Sequence, residues 1–332
     1  MPQNTLIVSV NGFAADDIGP YTPNLSRMVE VGQTFTLYGS PSASATQACV
    51  MSGLYGFRNG VGTRIRADDA FEMNPFLASL PYGANHFSGQ WDLAPETQRL
   101  HPAACGIDRF NGSIGYQPTE APWIVVKSSA GSATTLSYSF SQLIQNESCA
   151  NESIDGMKTG VETVWCSFAP TNELGQLDDR IGELTSAAVQ LGYRVLIYAA
   201  AGVGYAHDPL AELSLSRICI AYGWTDLPKN ALIHAVDLTS LITGNCQADA
   251  KPIGSRDYLY SEEFEDNGSV PDNGTRSWAI RDRRWKLIVG PDSESVELYD
   301  LLSDPLETQD IAEEFSEEAA RLMDEGLRIQ SS

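Results

Sequence analysis

The chain has 332 residues, 42% of them hydrophobic, with 43 acidic side chains against 21 basic ones and a formal charge of −22. That length and apolar content suffice to bury a sizeable core, while the acidic balance excludes nucleic acid and disfavours anionic membrane surfaces as partners. Six cysteines, Cys49, Cys105, Cys149, Cys166, Cys219 and Cys246, lack CxxC spacing or nearby histidine pairs, which points to buried thiols rather than a zinc site or a disulfide framework. No apolar run reaches the length of a membrane span, and no basic segment followed by an apolar one precedes the first strand. The chain therefore reads as soluble, cytoplasmic as written, and periplasmic or extracellular if a signal segment was trimmed before Met1.

In chain order, residues 4–10 form a nearly continuous apolar run of the kind buried on both faces of a parallel sheet. Asn11 and Gly12 follow it, and Asp16 and Asp17 lie in the next loop. Thr22 and Pro23 open a helix with Leu25, Met28 and Val29 on one face. Residues 34–38 alternate as a strand, and residues 40–61 read as a loop running into a short helix. Asn74 starts another capped helix, and Asn85–Leu93 carries Gln90, Trp91 and Asp92. Residues 122–126 and 162–168 read as strands, and Asn172 caps a helix with Leu174, Leu177, Ile181, Leu184 and Ala188 on its packing stripe. Arg194–Gly202 is the next buried strand, with His207 and Asp208 a few residues on; residues 218–222 and 232–236 continue the pattern, and Asp237–Gly244 is a short helix ended by glycine. Residues 255–274, acidic and rich in Asn and Gly, read as a linker. Beyond them come an antiparallel hairpin over 278–308 and a helix from Ser316 with Ala319, Leu322, Met323 and Leu327 on one face.

The frame of residues 40–61 resembles the signature of the sulfatases, a branch of the alkaline-phosphatase superfamily, at Ser40, Pro41, Ala48, Ser52, Gly53, Tyr55, Arg58, Gly60 and Val61. Thr22–Leu25, the Trp91 segment, His101–Gly112 and the C-terminal hairpin resemble the same family, so the likeness covers essentially the whole chain. It implies a three-layer α/β/α sandwich with a mostly parallel central sheet over residues 1–255, and a small C-terminal antiparallel sheet with a helix over 256–332. It also implies a catalytic set, and here this sequence departs. The cysteine that the family oxidises to formylglycine falls on Ala43, and its supporting arginine on Gln47. The metal-binding carboxylates of the first strand fall on Asn11 and Gly12, and the second metal pair on Ala200 and Ala201. The lysine and histidine that hold the sulfate and the leaving oxygen fall on Gln90 and Asp92.

The leading expectation is a sulfatase-like pseudoenzyme with no cofactor, whose retained surfaces bind a protein partner or a second copy of the chain. An alternative is an active sulfuric or phosphoric ester hydrolase that uses displaced Asp16, Asp17, His207 and Asp208, with calcium or magnesium as cofactor. A third reading is a module that holds a sulfated glycan without cleaving it, through Arg58, Arg64 or Arg66.

Overall fold

A computed structural model describes residues 4–13, 17–79, 83–116, 123–129, 132–138, 142–171, 173–200, 217–222, 224, 232–243, 256–268, 276–291 and 295–332. Ten strands make one sheet: β1 (Thr5–Val10), β2 (Gln33–Tyr38), β3 (Asn85–Trp91), β4 (Arg109–Ile114), β5 (Trp123–Ser129), β6 (Ser132–Tyr138), β7 (Thr163–Phe168), β8 (Arg194–Ala199), β9 (Arg217–Tyr222) and β10 (Leu232–His234). Their order is β10-β2-β9-β8-β1-β7-β3-β4-β5-β6, and all but β5 and β9 run in the direction of β1. The helices are α1 (Pro23–Val31), α2 (Ala43–Ser52), α3 (Gly56–Asn59), α4 (His101–Ala104), α5 (Gln142–Lys158), α6 (Leu174–Gln190), α7 (Ala235–Thr243) and α8 (Ser316–Gln330).

Strand β1 shows why the first apolar run is continuous. Leu6, Val8 and Val10 pack with Leu25 and Met28 of α1, Met157 of α5 and Ile181 and Leu184 of α6. Ile7 points the other way, into a cluster with Ala45 and Ala48 of α2 and Leu238 of α7. Alternate side chains of one strand thus enter two cores, and helices cover both faces of the sheet. The expected three layers are present.

Several local expectations change. Thr22 stands at the N-terminus of α1 without capping it; its hydroxyl accepts from Gly19 N–H and donates to Asp17 O. The cap comes from α6, where the fully buried Asp178 carboxylate accepts the N–H groups of Asn24 and Leu25, each at 2.9 Å. Asn74 begins only a single 3-10 turn, Pro75–Leu77, because its side chain closes onto Phe76 N–H and no apolar stripe follows to bury a longer helix. Asn172 lies outside the described residues.

The C-terminal sheet is antiparallel, ordered β11 (Leu259–Phe264), β12 (Arg276–Arg281), β13 (Trp285–Val289), β14 (Val296–Asp300). Its first strand lies inside the segment expected to be a linker: Leu259, Tyr260 and Phe264 are buried, and that burial outweighs the acidic composition around them. Helix α8 packs on this sheet through Leu322, Ala319 and Met323. Leu327 stays exposed, and its neighbour Gly326 makes the contact instead. A Cβ on Gly326 would lie 2.2 Å from the Trp278 ring, so only glycine lets helix and strand come this close.

Hydrogen bonds join the two sheets beside residues 40–61. Ser40 Oγ donates to Glu262 O at 2.9 Å and Ser261 Oγ donates to Gly39 O at 2.6 Å. Phe57 N–H donates to the Glu262 carboxylate, and the N–H groups of Gly62 and Thr63 donate to Asn267 Oδ1.

Candidate functional site

In a mostly parallel sheet flanked by helices, ligands meet the chain at the carboxyl ends of the strands. Here those ends belong to β1, β3, β7 and β8, which lie side by side around the middle of the sheet. The chain leaves β1 through Asn11 and then Gly12, whose φ of +68° and whose approach to Pro170, 2.9 Å from an imagined Cβ, both require glycine. It leaves β3 through Asp92 and β8 through Ala200, both buried. Helix α2 starts at Ala43 and brings Gln47 beneath the same strand ends.

Four of the positions singled out in the sequence meet here. Gln90 Nε2 donates to Asp92 Oδ1 at 2.6 Å, and Asn11 Nδ2 reaches Asp92 Oδ2 at 3.4 Å. Asp92 N–H donates to Gln47 Oε1 at 2.8 Å, and Gln47 Nε2 reaches the Gln90 carbonyl at 3.4 Å. All four residues are buried. Burial pushes the Asp92 carboxyl up to about 6, against the opposing pull of the Gln90 amide, the Arg64 charge and the Asn11 amide. Trp91 keeps a packing role: it is fully buried and donates through Nε1 to His101 Nδ1 at 3.0 Å.

No family model matches the sequence, and no curated protein matches it. Solved structures do. Ps i-CgsB aligns over 99% of this chain and 93% of its own, at 13% identity and a TM-score of 0.78. The putative sulfatase yidJ from Bacteroides fragilis aligns over 100% of this chain and 97% of its own, at 16% identity and a TM-score of 0.72. BT4656, solved in complex with its substrate D-glucosamine-2-N,6-O-disulfate, aligns over 100% and 98%, at 13% identity and a TM-score of 0.71. The chain has a sulfatase-like fold. The likeness is one of architecture and spans nearly the whole chain.

The sulfatase-like frame implies a divalent cation held by carboxylates at the ends of the first strand and of the strand now seen as β8. The described residues at those positions do not supply such a ligand set. Asn11 offers an amide where a carboxylate is implied, Gly12 and Ala200 offer no side-chain donor, and Ala43 at the start of α2 presents a methyl group. A hard divalent ion takes about six oxygen ligands, several of them charged. Ala201, Asp16, His207 and Asp208 lie outside the described residues. Asp17 is described, in the loop before α1, with its backbone carbonyl held by Thr22.

Arg58, Arg64 and Arg66 are all exposed. Arg64 places its guanidinium 4.1 Å from the ring centroid of Tyr116, a partner that sequence reading missed because nothing local marks it. Its charge also acts on the Asp92 carboxyl, pulling against the effect of burial. Arg66 bridges to Tyr116 through its backbone. The five cysteines among the described residues are free and buried, and burial pushes Cys49, Cys105 and Cys166 up to about 12, so none offers a thiolate nucleophile near neutral pH.

Proposed function

We propose that the chain is a non-catalytic relative of the sulfatases, a pseudoenzyme whose preserved frame serves binding to a protein partner or a second copy. The observation that carries this reading is the Asn11, Gln47, Gln90 and Asp92 cluster. Positions that would hold a metal, a supporting arginine, a lysine clamp and a proton donor are occupied by groups that hydrogen-bond to one another. With Ala43 at the nucleophile position, attack on sulfur has no agent. Each of those functions is worth orders of magnitude in rate, so their joint loss leaves no plausible path for turnover.

The test is an assay of the purified chain on chromogenic aryl sulfates and phosphates, with calcium and magnesium supplied. Rates at the buffer background are expected. Turnover proportional to protein and abolished by Asp17→Ala or Asp208→Ala would overturn the reading in favour of a hydrolase built from displaced residues.

A second reading, a sulfated glycan held without cleavage, is favoured by Arg64, which is exposed while its charge acts on the buried Asp92. Retention on immobilised heparin that Arg64→Ala weakens would support it; passage through the column at low salt would remove it.

A further inference from the structure

Helix α5 covers β3, β4 and β7 over a partly polar interface. Ser88 Oγ donates to Cys149 O and pairs with Ser153 Oγ. One helical turn on, His86 of β3 is pressed against the helix backbone: a Cβ on Gly156 would lie 3.2 Å from the imidazole ring. His86 is 2% exposed, and neither of its ring nitrogens has a hydrogen-bond partner among the described residues. A neutral imidazole carries one N–H and one lone pair, so a proton taken up in the closed fold creates a buried cation with two unanswered donors. The surrounding charges do not relieve it. Arg109, beside His86 in the β4 register, opposes a second positive charge. Glu152 of α5 attracts one, but its carboxylate already accepts from Lys127 of β5 at 2.9 Å. Asp108 and Glu162 accept the N–H groups of Asn85 and Ala84, and the β7 residue paired with His86 is the apolar Val164. At the end of α5, Asp155 pairs with Lys158, Gly156 O accepts from Thr159 Oγ1 at 2.8 Å and Met157 O accepts from the Tyr193 hydroxyl at 3.3 Å. Cys149 and Cys166 are thiols that burial keeps neutral. Burial, with the Arg109 charge added, pushes the imidazole down from 6.5 to about 4.

We propose that α5 is an acid-released cover: uptake of a proton by His86 undocks the helix from β3, β4 and β7 while the rest of the fold stays closed. Opening lets the ring reach water, so the open form takes the proton at the ordinary value and the closed form does not. The docking of α5 is therefore complete above about pH 6.5 and weakens as pH falls toward 4. The other end of the helix gives this release a consequence. Asn146 donates to Ala169 O at 3.0 Å and accepts Ala169 N–H at 2.9 Å, and Gln145 Nε2 donates to Ser113 Oγ at 3.1 Å. Helix α5 thus also fixes the chain where β7 and β4 reach the strand ends, and an acidic medium loosens that surface without unfolding the molecule.

Amide hydrogen exchange of the native protein is followed by mass spectrometry in wild type and His86→Phe between pH 6.5 and 4. The sequence of α5 is the same in both, so intrinsic exchange rates cancel in their ratio. Wild-type amides of residues 142–158 are expected to gain on those of the variant by up to about tenfold per pH unit, while β1 and β8 keep their protection. A ratio that does not change with pH overturns the proposal. So does loss of protection in α5 and the central strands together, which is global unfolding. Should His86→Phe not fold, wild type decides alone. Protection of α5 that falls against that of β1 and β8 as pH drops supports the cover, and a constant difference between them overturns it.

Discussion

Glu262 and Ala43 make opposite use of burial. Glu262 is 3% exposed, accepts Phe57 N–H at 2.8 Å and the Tyr260 hydroxyl at 3.2 Å, and has Arg276 3.6 Å away. Burial nevertheless pushes its carboxyl from 4.5 up to about 7. The folded chain therefore holds this proton more tightly than the unfolded chain does. Its contribution to stability is complete below about pH 4.5 and is lost as pH rises through 7, on the order of 3 kcal/mol in all. Denaturant melts across pH 4 to 8 should show a steeper loss in wild type than in Glu262→Gln, whose remaining slope includes that of Asp92, also pushed up by burial; parallel curves would refute it. Ala43, by contrast, has nothing to titrate or donate. Ala43→Cys is expected to leave arylsulfatase turnover at background, because groups that act as one catalytic unit recover little when one alone is returned. A rise above background in the chromogenic assay would contradict this. The replaced positions could be named from the sequence because each falls in a recognisable frame. That Asn11 and Asp92, 81 residues apart, would bond to each other could not be read there, since the pairing depends on β1 and β3 ending at the same level on either side of β7.

At the scale of elements, apolar pattern decided what was legible. Strands β1, β7 and β8 are buried throughout or nearly so and stand out as hydrophobic runs, and α6 carries its stripe plainly. Helix α5 and strand β6 do not stand out. The helix includes two Asn, two Ser, an Asp and a Gly, residues of modest helix propensity, and the strand reads Ser-Ala-Thr-Thr-Leu-Ser-Tyr, with no clear alternation. Both are fixed by neighbours, α5 by packing on β3 and β7, and β6 by its ladder with β5. The docking of α8 is similarly tertiary, and it rests on a residue with no side chain. Gly326→Ala should drive its methyl into the Trp278 ring and cost about 1–3 kcal/mol. Limited proteolysis and denaturant melts would show a loosened C-terminal helix; unchanged cleavage and an unchanged midpoint would refute the contact.

For the whole molecule, the order of segments was readable but the way they join was not. Residues 256–332 could be seen as a separate antiparallel unit, yet β11 and the turn after it are tied to residues 39, 40, 57, 62 and 63 through Ser261, Glu262 and Asn267, residues that look like linker composition. Buried bonds of this kind couple the two sheets energetically. The chain is therefore expected to unfold in one transition, with tryptophan fluorescence, which reports Trp278 and Trp285 of the small sheet as well as Trp91 and Trp165 of the large one, coinciding with far-ultraviolet circular dichroism. Two resolved transitions would show that the sheets melt separately. The enclosed cysteines give that event a clock. Cys49, Cys105, Cys149, Cys166 and Cys219 are spread along both halves of the large domain, on strands, helices and a turn, and each is shielded from reagent while the protein is closed. Alkylation at these five sites, resolved one by one by mass spectrometry, should advance at a common rate that follows the population of open molecules, and a cysteine that runs ahead of the others would mark the place where the structure first gives way.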